Sequence, residues 1–455
     1  MLVYFSVDNY KSINNRLELN LRAAPRLRRF PHHAFTPTDD KSLRVLRNAV
    51  IYGGNASGKS NIVKAIKTAQ SMVIGSISDK KSPKVEPFRL TDNIKNETAF
   101  YFEFTYFRNH FGFGFTVSQN KIINEYLYHL SKDEEFCVYE RILNDNNGYD
   151  FNTKLNELKN LPKEVIDDLK RLIKYSSNED LFIKEAFEKN YVEKLGEVGS
   201  FFIPPIEFFH SQLIVIFPNT SYGGLVRDLA SDDECNYINL IRNFDTGVSG
   251  IKSELVNINI FPKNLKDEVI ETLTEGQSVS FVTYNNEEYR FEYNDDRELI
   301  ASRIIAVHEL PDGTKISFKL DDESDGTRRI LDLLPALSNR SSSDADYPTN
   351  YTYIIDEFDR SLHPILSRAF LNAFLNDGVG NPQDQMIVTT HESSLLDNKL
   401  LRRDEIWFVQ KEDDHSSVLY SLNDYSPRFD KDIRSAYLSG VYGAVPHIPS
   451  FKGDK

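Results

Sequence analysis

The chain has 455 residues, 40% hydrophobic and 27% charged, which is enough to bury a sizeable core and more than one ordinary domain needs; two subdomains are expected. A net charge of -14 excludes broad, non-specific coating of nucleic acid, which depends on Lys and Arg releasing phosphate counterions, though it leaves room for a local basic groove. No run approaches the roughly 18 apolar residues of a membrane span, the first residues lack the basic, apolar and small-residue regions of a signal peptide, and Cys137 and Cys235 show no disulfide-like or zinc-like spacing, so a soluble protein of the reducing cytoplasm is expected.

In chain order, Leu2, Tyr4 and Val7, then Leu17, Leu19 and Leu21, alternate with polar residues and predict two β-strands around an Asn9–Asn15 turn. The densest basic stretch, Arg22 to Arg29 with His32 and His33 behind it, reads as a solvated face or subunit contact, or as a polyanion contact. Val45 to Tyr52 is an apolar strand feeding a glycine loop, Gly53-Gly54-Asn55-Ala56-Ser57-Gly58-Lys59-Ser60, and Asn61 to Val73 has helical spacing. This is the G-x-x-x-x-G-K-[ST] motif in its strand–loop–helix setting. Its glycines let backbone N–H groups turn toward phosphate oxygens, the helix N-terminus adds its positive end, Lys59 bridges β- and γ-phosphates, and Ser60 ligates Mg²⁺. Gly53 to Asn61 is therefore the expected ATP cradle.

Residues 99–118 alternate with aromatic enrichment and predict a hairpin turning near Arg108–His110. From 120 to 275 charged helical stretches such as Lys154–Lys174 and Asn178–Leu195 predict a mainly helical insertion. Strand alternation returns at 278–284, 287–293, 300–310 and 314–320, with Pro311-Asp312-Gly313 as a turn, and is read as the chain re-entering the sheet. Asp322 to Arg329 leads into a helix from Thr327 to Leu337, for which Ser324 or Asp325 can serve as N-cap. A polar Ser/Asp loop at 338–349 follows.

Tyr351 to Ile355 is a buried-type strand ending in Asp356-Glu357. Adjacent carboxylates at a strand end can be a solubility feature; after the glycine loop they have the form of a Walker B pair, with Asp356 holding Mg²⁺ through water and Glu357 polarising the attacking water. His363-Pro364 reads as a helix start. Met386 to Thr390 is a further apolar strand that delivers His391 at its carboxyl end, where α/β sheets bind ligands, although a lone strand-end histidine is commonly structural.

In this order the motifs resemble the overcoming-lysogeny/RecF/SMC-like branch of ABC ATPases, and more closely the RloA- and AbiL-type ATPases of phage-defence operons. Phe5 to Ser12, Leu401 to Phe408 and Tyr437 to Pro446 add to the likeness. The resemblance implies an α/β fold: an ABC-type P-loop NTPase head with a mixed sheet, flanking helices and an antiparallel β subdomain, divided into 1–119 and 276–455 by an inserted helical arm at 120–275. It further implies that Ser324 and Gly326 form a signature reaching the γ-phosphate held by a second copy, although the usual Leu-Ser-Gly-Gly-Gln is absent. Asp359 in Phe358 to Pro364 would belong to a D-loop at the seam of a head-to-tail homodimer, and His391 would be the switch histidine touching the γ-phosphate. No Q-loop glutamine is evident; Pro87 to Leu90 is where it is expected.

The implied activity is ATP hydrolysis, in a sensor that controls a separately encoded effector, expected to be a nuclease from the same operon, with DNA or a phage component as trigger. Only about 60 residues follow His391, fewer than the TOPRIM domain of related nucleases needs. A RecF-like ATPase that clamps duplex DNA is the alternative, and it predicts a basic groove and strongly salt-dependent affinity.

Overall fold

The continuous apolar runs around the glycine loop fold as strands buried on both faces, as parallel sheets require. The computed structural model describes residues 1–75, 84–91, 96–132, 134–155, 163–190, 196–218, 234–273, 280–284, 287–294, 296–338, 350–425 and 432–446. The polar loop expected at 338–349 lies almost wholly outside them. Two units are formed: Met1–Pro218 with Ser342–Phe358 and Pro382–Lys455, and Asn219–Ser341 with Asp359–Asn381.

The first unit holds a six-stranded sheet in the order Leu213–Ile216, Thr352–Ile355, Gln385–Thr390, Asn48–Gly53, Ile406–Lys411, Ser417–Ser421. All neighbours are parallel except the last pair, so five strands deliver their carboxyl ends to one edge. Helix Lys59–Ile74 follows the glycine loop and buries Ile62, Val63, Ile66, Ala69 and Val73 at three- and four-residue spacing. This is an α/β P-loop fold, as expected.

The same unit holds a seven-stranded antiparallel sheet in the order Tyr149–Asn152, Glu135–Leu143, Lys121–Leu130, Asn109–Ser118, Glu97–Tyr106, Leu2–Asp8, Leu17–Asn20. Phe100, Phe102 and Phe104 alternate inward from one strand of the expected hairpin and Phe111, Phe113 and Phe115 from the other. Phe104 stacks on Phe208 with ring centroids 4.4 Å apart. Such rings each bury about 150–250 Å², so this face supplies much of the unit's hydrophobic stabilisation.

Between 120 and 275 the structure departs from a mainly helical insertion. Helices occur at Lys163–Lys174, Phe182–Glu188, Glu234–Arg242 and Lys263–Thr272, but Lys121–Leu130, Glu135–Leu143 and Tyr149–Asn152 continue the antiparallel sheet, and Leu213–Ile216 joins the parallel one. In the second unit, Val248–Val256, Leu299–Glu309, Glu287–Tyr293 and Ser280–Tyr284 form a sheet of their own, with Lys315–Lys319 also pairing with Leu299–Glu309. The four strands expected after 276 are thus present but do not re-enter the P-loop sheet. Their alternation could set secondary structure but not partner, because the pairing with Val248–Val256 is non-local.

Helices Asp325–Leu333 and Pro364–Leu375 complete the second unit's described part. Among the described residues no helix is long and apolar enough to cross a membrane. Cys137 is free and buried, and burial pushes its thiol up to about 11, which suits packing rather than reactivity.

Candidate nucleotide-binding site

Strand Asn48–Gly53 ends in the glycine loop, and helix Lys59–Ile74 begins as the loop ends. The Lys59 ammonium lies back over the loop, donating to the carbonyls of Gly53 at 2.8 Å and Gly54 at 3.2 Å. Gly58 caps the helix at φ 108, a conformation that side chains avoid, and a Cβ there would come within 2.0 Å of Ser417 Oγ. Ser417 is close because it braces the loop from behind: its hydroxyl donates to the Ser57 carbonyl at 2.6 Å and lies 2.8 Å from Ser12 Oγ. Ser12 also accepts from Asn61 Nδ2 at 2.8 Å, and its carbonyl accepts the Ser417 N–H at 2.7 Å. Asn61, expected in the cradle, therefore directs its amide to the N-terminal turn.

At the same sheet edge Asp356, 3% exposed, accepts from Ser60 Oγ at 3.2 Å and from Thr389 Oγ1 at 2.6 Å. The sequence separates Ser60 and Asp356 widely; parallel strands bring them together. Glu357 is half-buried with φ 46, a left-handed backbone that costs about 1–3 kcal/mol for a non-glycine residue and clusters at functional sites. Its N–H donates to Thr389 Oγ1 at 2.8 Å. His391 follows Gln385–Thr390 directly and is exposed.

The Ser60 hydroxyl and Asp356 carboxylate are hard oxygen donors, the kind Mg²⁺ takes alongside phosphate and water oxygens. Among the described residues no three His, Cys, Asp or Glu side chains gather into a metal cluster, so an ion here would draw its remaining ligands from a nucleotide and solvent. The donor set fits that role.

In the second unit Ser324 caps helix Asp325–Leu333, its hydroxyl accepting the Thr327 N–H at 3.1 Å. Gly326 faces the turn that carries Asp359: a Cβ on Gly326 would lie 2.8 Å from the Ser361 carbonyl, so only glycine permits this approach. The Asp359 carbonyl accepts the Leu362 N–H at 3.0 Å, and His363 caps helix Pro364–Leu375, as expected. Ser324, Gly326 and Asp359 thus belong to one unit, and Gly53 to Asn61, Asp356, Glu357 and His391 to the other.

Sequence reasoning missed four contributors. Ser12, in the Phe5-to-Ser12 run, and Thr389, in Thr389-Thr390-His391, were marked only by the likeness and without a role; Ser417 carried no signal. Leu213–Ile216 was overlooked inside the supposed helical stretch, yet the Asp356 N–H donates to the Ile216 carbonyl at 2.9 Å, so Phe217 and Pro218 leave the sheet beside Asp356. Within Pro87 to Leu90, the Phe88 N–H donates to Asn9 Oδ1 of the N-terminal turn at 3.0 Å. Pro446 lies 3.5 Å from where a Gly54 Cβ would be, which places the last residue of the Tyr437-to-Pro446 run against the loop.

Of the arginines in the basic stretch, Arg22 lines a cavity, whereas Arg26, Arg28 and Arg29 are exposed outside it. The cavity, of about 850 Å³, sets Arg22, Arg44, Arg108 and Lys132 against Asp39, Asp40, Glu103 and Glu135, four cations against four acids, and Arg22 is ion-paired with Glu103.

A family model described as "AAA domain, putative AbiEii toxin, Type IV TA system" matches residues 49–397, well over half of the chain. Two solved structures align with it: an SMC head bound to the C-winged helix domain of ScpA, at TM-score 0.36, and the SMC head domain from Thermotoga maritima, at 0.33. Both are 13% identical and cover 92% of this chain; the alignments span 97% and 98% of those chains. No curated protein matches.

Proposed function

The chain belongs to this family of AAA domains, and from that premise we propose that it is an ABC-type ATPase that binds ATP with Mg²⁺ and hydrolyses it to ADP and phosphate. The observation that carries the reading is the Ser60 hydroxyl 3.2 Å from the Asp356 carboxylate, at the mouth of the glycine loop, with Glu357 next in the chain. Backbone N–H groups of Gly54 to Lys59 cradle the phosphates, and the Lys59 ammonium exchanges its loop carbonyls for phosphate oxygens. Ser60 and Asp356 hold the metal, which when bound neutralises charge developing on the phosphoryl oxygens. Glu357 accepts the proton of the attacking water, and His391 orients the γ-phosphate from the adjacent strand end. Ser324 and Gly326 of a second, head-to-tail copy close each site, with Asp359 at the seam.

In the cell this ATPase acts as the regulator of an anti-phage defence system and controls an effector encoded beside it, with DNA or a phage component as trigger. The words "Type IV TA system" in the family's description support a co-encoded partner. Co-purification with the adjacent gene products, with mass measured with and without ATP, tests that part: a chain that stays alone under both conditions overturns it.

For the chemistry, Lys59→Ala should abolish ATP binding, because the cation that meets the β- and γ-phosphates is gone. Glu357→Gln should bind ATP at parental affinity while turnover falls by about 10²–10⁴-fold, the usual contribution of a positioned base. Equilibrium binding and phosphate release read both. Parental turnover in Glu357→Gln, or unchanged ATP affinity in Lys59→Ala, rejects the assignment.

A further inference from the structure

Three consecutive residues of the carboxylate turn are fastened to one residue of the neighbouring strand. Thr389, 1% exposed, donates its hydroxyl proton to Asp356 Oδ1 at 2.6 Å, accepts the Glu357 N–H on the same oxygen at 2.8 Å, and accepts the Phe358 N–H on its carbonyl at 2.9 Å. The regular pairing of the two strands runs from Thr352 opposite Gln385 to Ile355 opposite Val388. Thr389 takes over where that ladder ends.

The directions of these bonds are fixed by inventory. A threonine hydroxyl has one proton and two lone pairs; the Glu357 N–H can only donate, so it occupies a lone pair, and the proton is left for the Asp356 carboxylate. Hydrogen bonds to an ionised acceptor are short and strong, as the 2.6 Å separation agrees. Ser60 Oγ meets the same Oδ1 at 3.2 Å, so the carboxylate is held by a hydroxyl from the first turn of helix Lys59–Ile74 and by one from the end of strand Gln385–Thr390. The same hydroxyl restrains Glu357, whose φ of 46 persists only where neighbours hold it. Two residues further along the strand stands His391.

We propose that Thr389 is a positioning residue of the hydrolytic site: its hydroxyl presets the Asp356 carboxylate for the metal–nucleotide complex and couples the Glu357 backbone to the strand that carries His391. This rests on the reading of Asp356 and Glu357 as metal ligand and general base. Partners of this kind behind a metal ligand change metal affinity or activity by about 10–100-fold when removed.

The test uses Thr389→Val, which keeps the branched shape without the hydroxyl, and Thr389→Ser, which keeps the hydroxyl. Binding of a fluorescent ATP analogue is measured without divalent ions and across an Mg²⁺ titration, together with kcat and KM. In Thr389→Val, metal-free affinity should stay within about 3-fold of the parent, the Mg²⁺ needed for half-maximal binding should rise about 10-fold or more, and kcat should fall about 10–100-fold with KM for the metal complex little changed. Thr389→Ser should restore each quantity to within about 3-fold of the parent.

Parental Mg²⁺ dependence and kcat in Thr389→Val overturn the proposal, as does a Thr389→Ser protein impaired as much as the valine form. If valine prevents folding, Thr389→Cys, a weak donor, replaces it: a defect larger than that of serine is expected, and parental behaviour overturns the role. Lys59→Ala run in parallel separates the two claims. Unchanged ATP binding in Lys59→Ala sinks the ATPase reading itself, whereas a lysine-dependent ATPase indifferent to Thr389→Val sinks only the threonine.

Discussion

Glu357 places a side chain needed for chemistry on a backbone that disfavours side chains, with φ 46. Strain of this kind is kept where function outweighs stability, so its removal should separate the two. Glu357→Gly is expected to raise stability to urea by about 0.5–1 kcal/mol, the left-handed penalty less glycine's extra chain entropy, while hydrolysis is lost. Glu357→Gln keeps the penalty and should show no such gain. A less stable glycine variant would mean that the Glu357 side chain stabilises the turn by more than its backbone costs. Asp356 and Glu357 were legible in the sequence because two carboxylates ended an apolar strand at the right distance past the glycine loop. The left-handed turn and the bonds of Thr389 were not: the likeness marked Thr389-Thr390-His391, but nothing in those residues tells which carboxylate turn lies beside them until the parallel neighbour is known.

Among elements, the hairpin Lys121–Leu130 with Glu135–Leu143 is locked to helix Phe182–Glu188 by one buried carboxylate. Glu125 accepts from Tyr139 Oη at 2.7 Å, Arg141 Nε at 2.7 Å, and the Phe182 and Ile183 N–H groups at 2.7 and 3.0 Å; both Glu125 and Arg141 are 0% exposed. The carboxylate therefore also accepts from N–H groups in the helix's first turn, for which the helix itself supplies no acceptor. Arg141→Met should destabilise the fold by about 3–5 kcal/mol, because it leaves Glu125 charged, buried and short of its strongest donor. Chemical denaturation measures this, and a loss below about 1 kcal/mol would contradict the reading, since that is the range of exposed pairs. The same pair explains why these strands were mistaken for part of a helical insertion. Inward-facing Glu125 and Arg141 break the apolar alternation, and register shifts at Thr116/Val117 and Leu127/Tyr128 break its period. The hairpin at 97–118, whose inward positions are filled by phenylalanines, was readable without help.

At the scale of the whole molecule, the phosphate-side residues and the signature-like residues fall in different units, and the chain passes from one to the other between Phe358 and Asp359. The proposed composite site uses Lys59 of one copy with Ser324 of another, and that arrangement has an arithmetic consequence. Ser324 is exposed and its cap is worth about 1 kcal/mol, so Ser324→Arg should fold while placing a large cation where the γ-phosphate is to be met. Homodimers of Lys59→Ala lack both lysines and homodimers of Ser324→Arg lack both signatures, so each protein alone should be inactive. In an equal mixture that exchanges freely, half the dimers are mixed, and each keeps one intact lysine facing one intact signature. About a quarter of all sites are then whole, and hydrolysis should return to about a quarter of the parental rate if sites act independently. A signature used within its own chain would leave every site with one defect at every ratio, and the mixture would stay as inactive as its components.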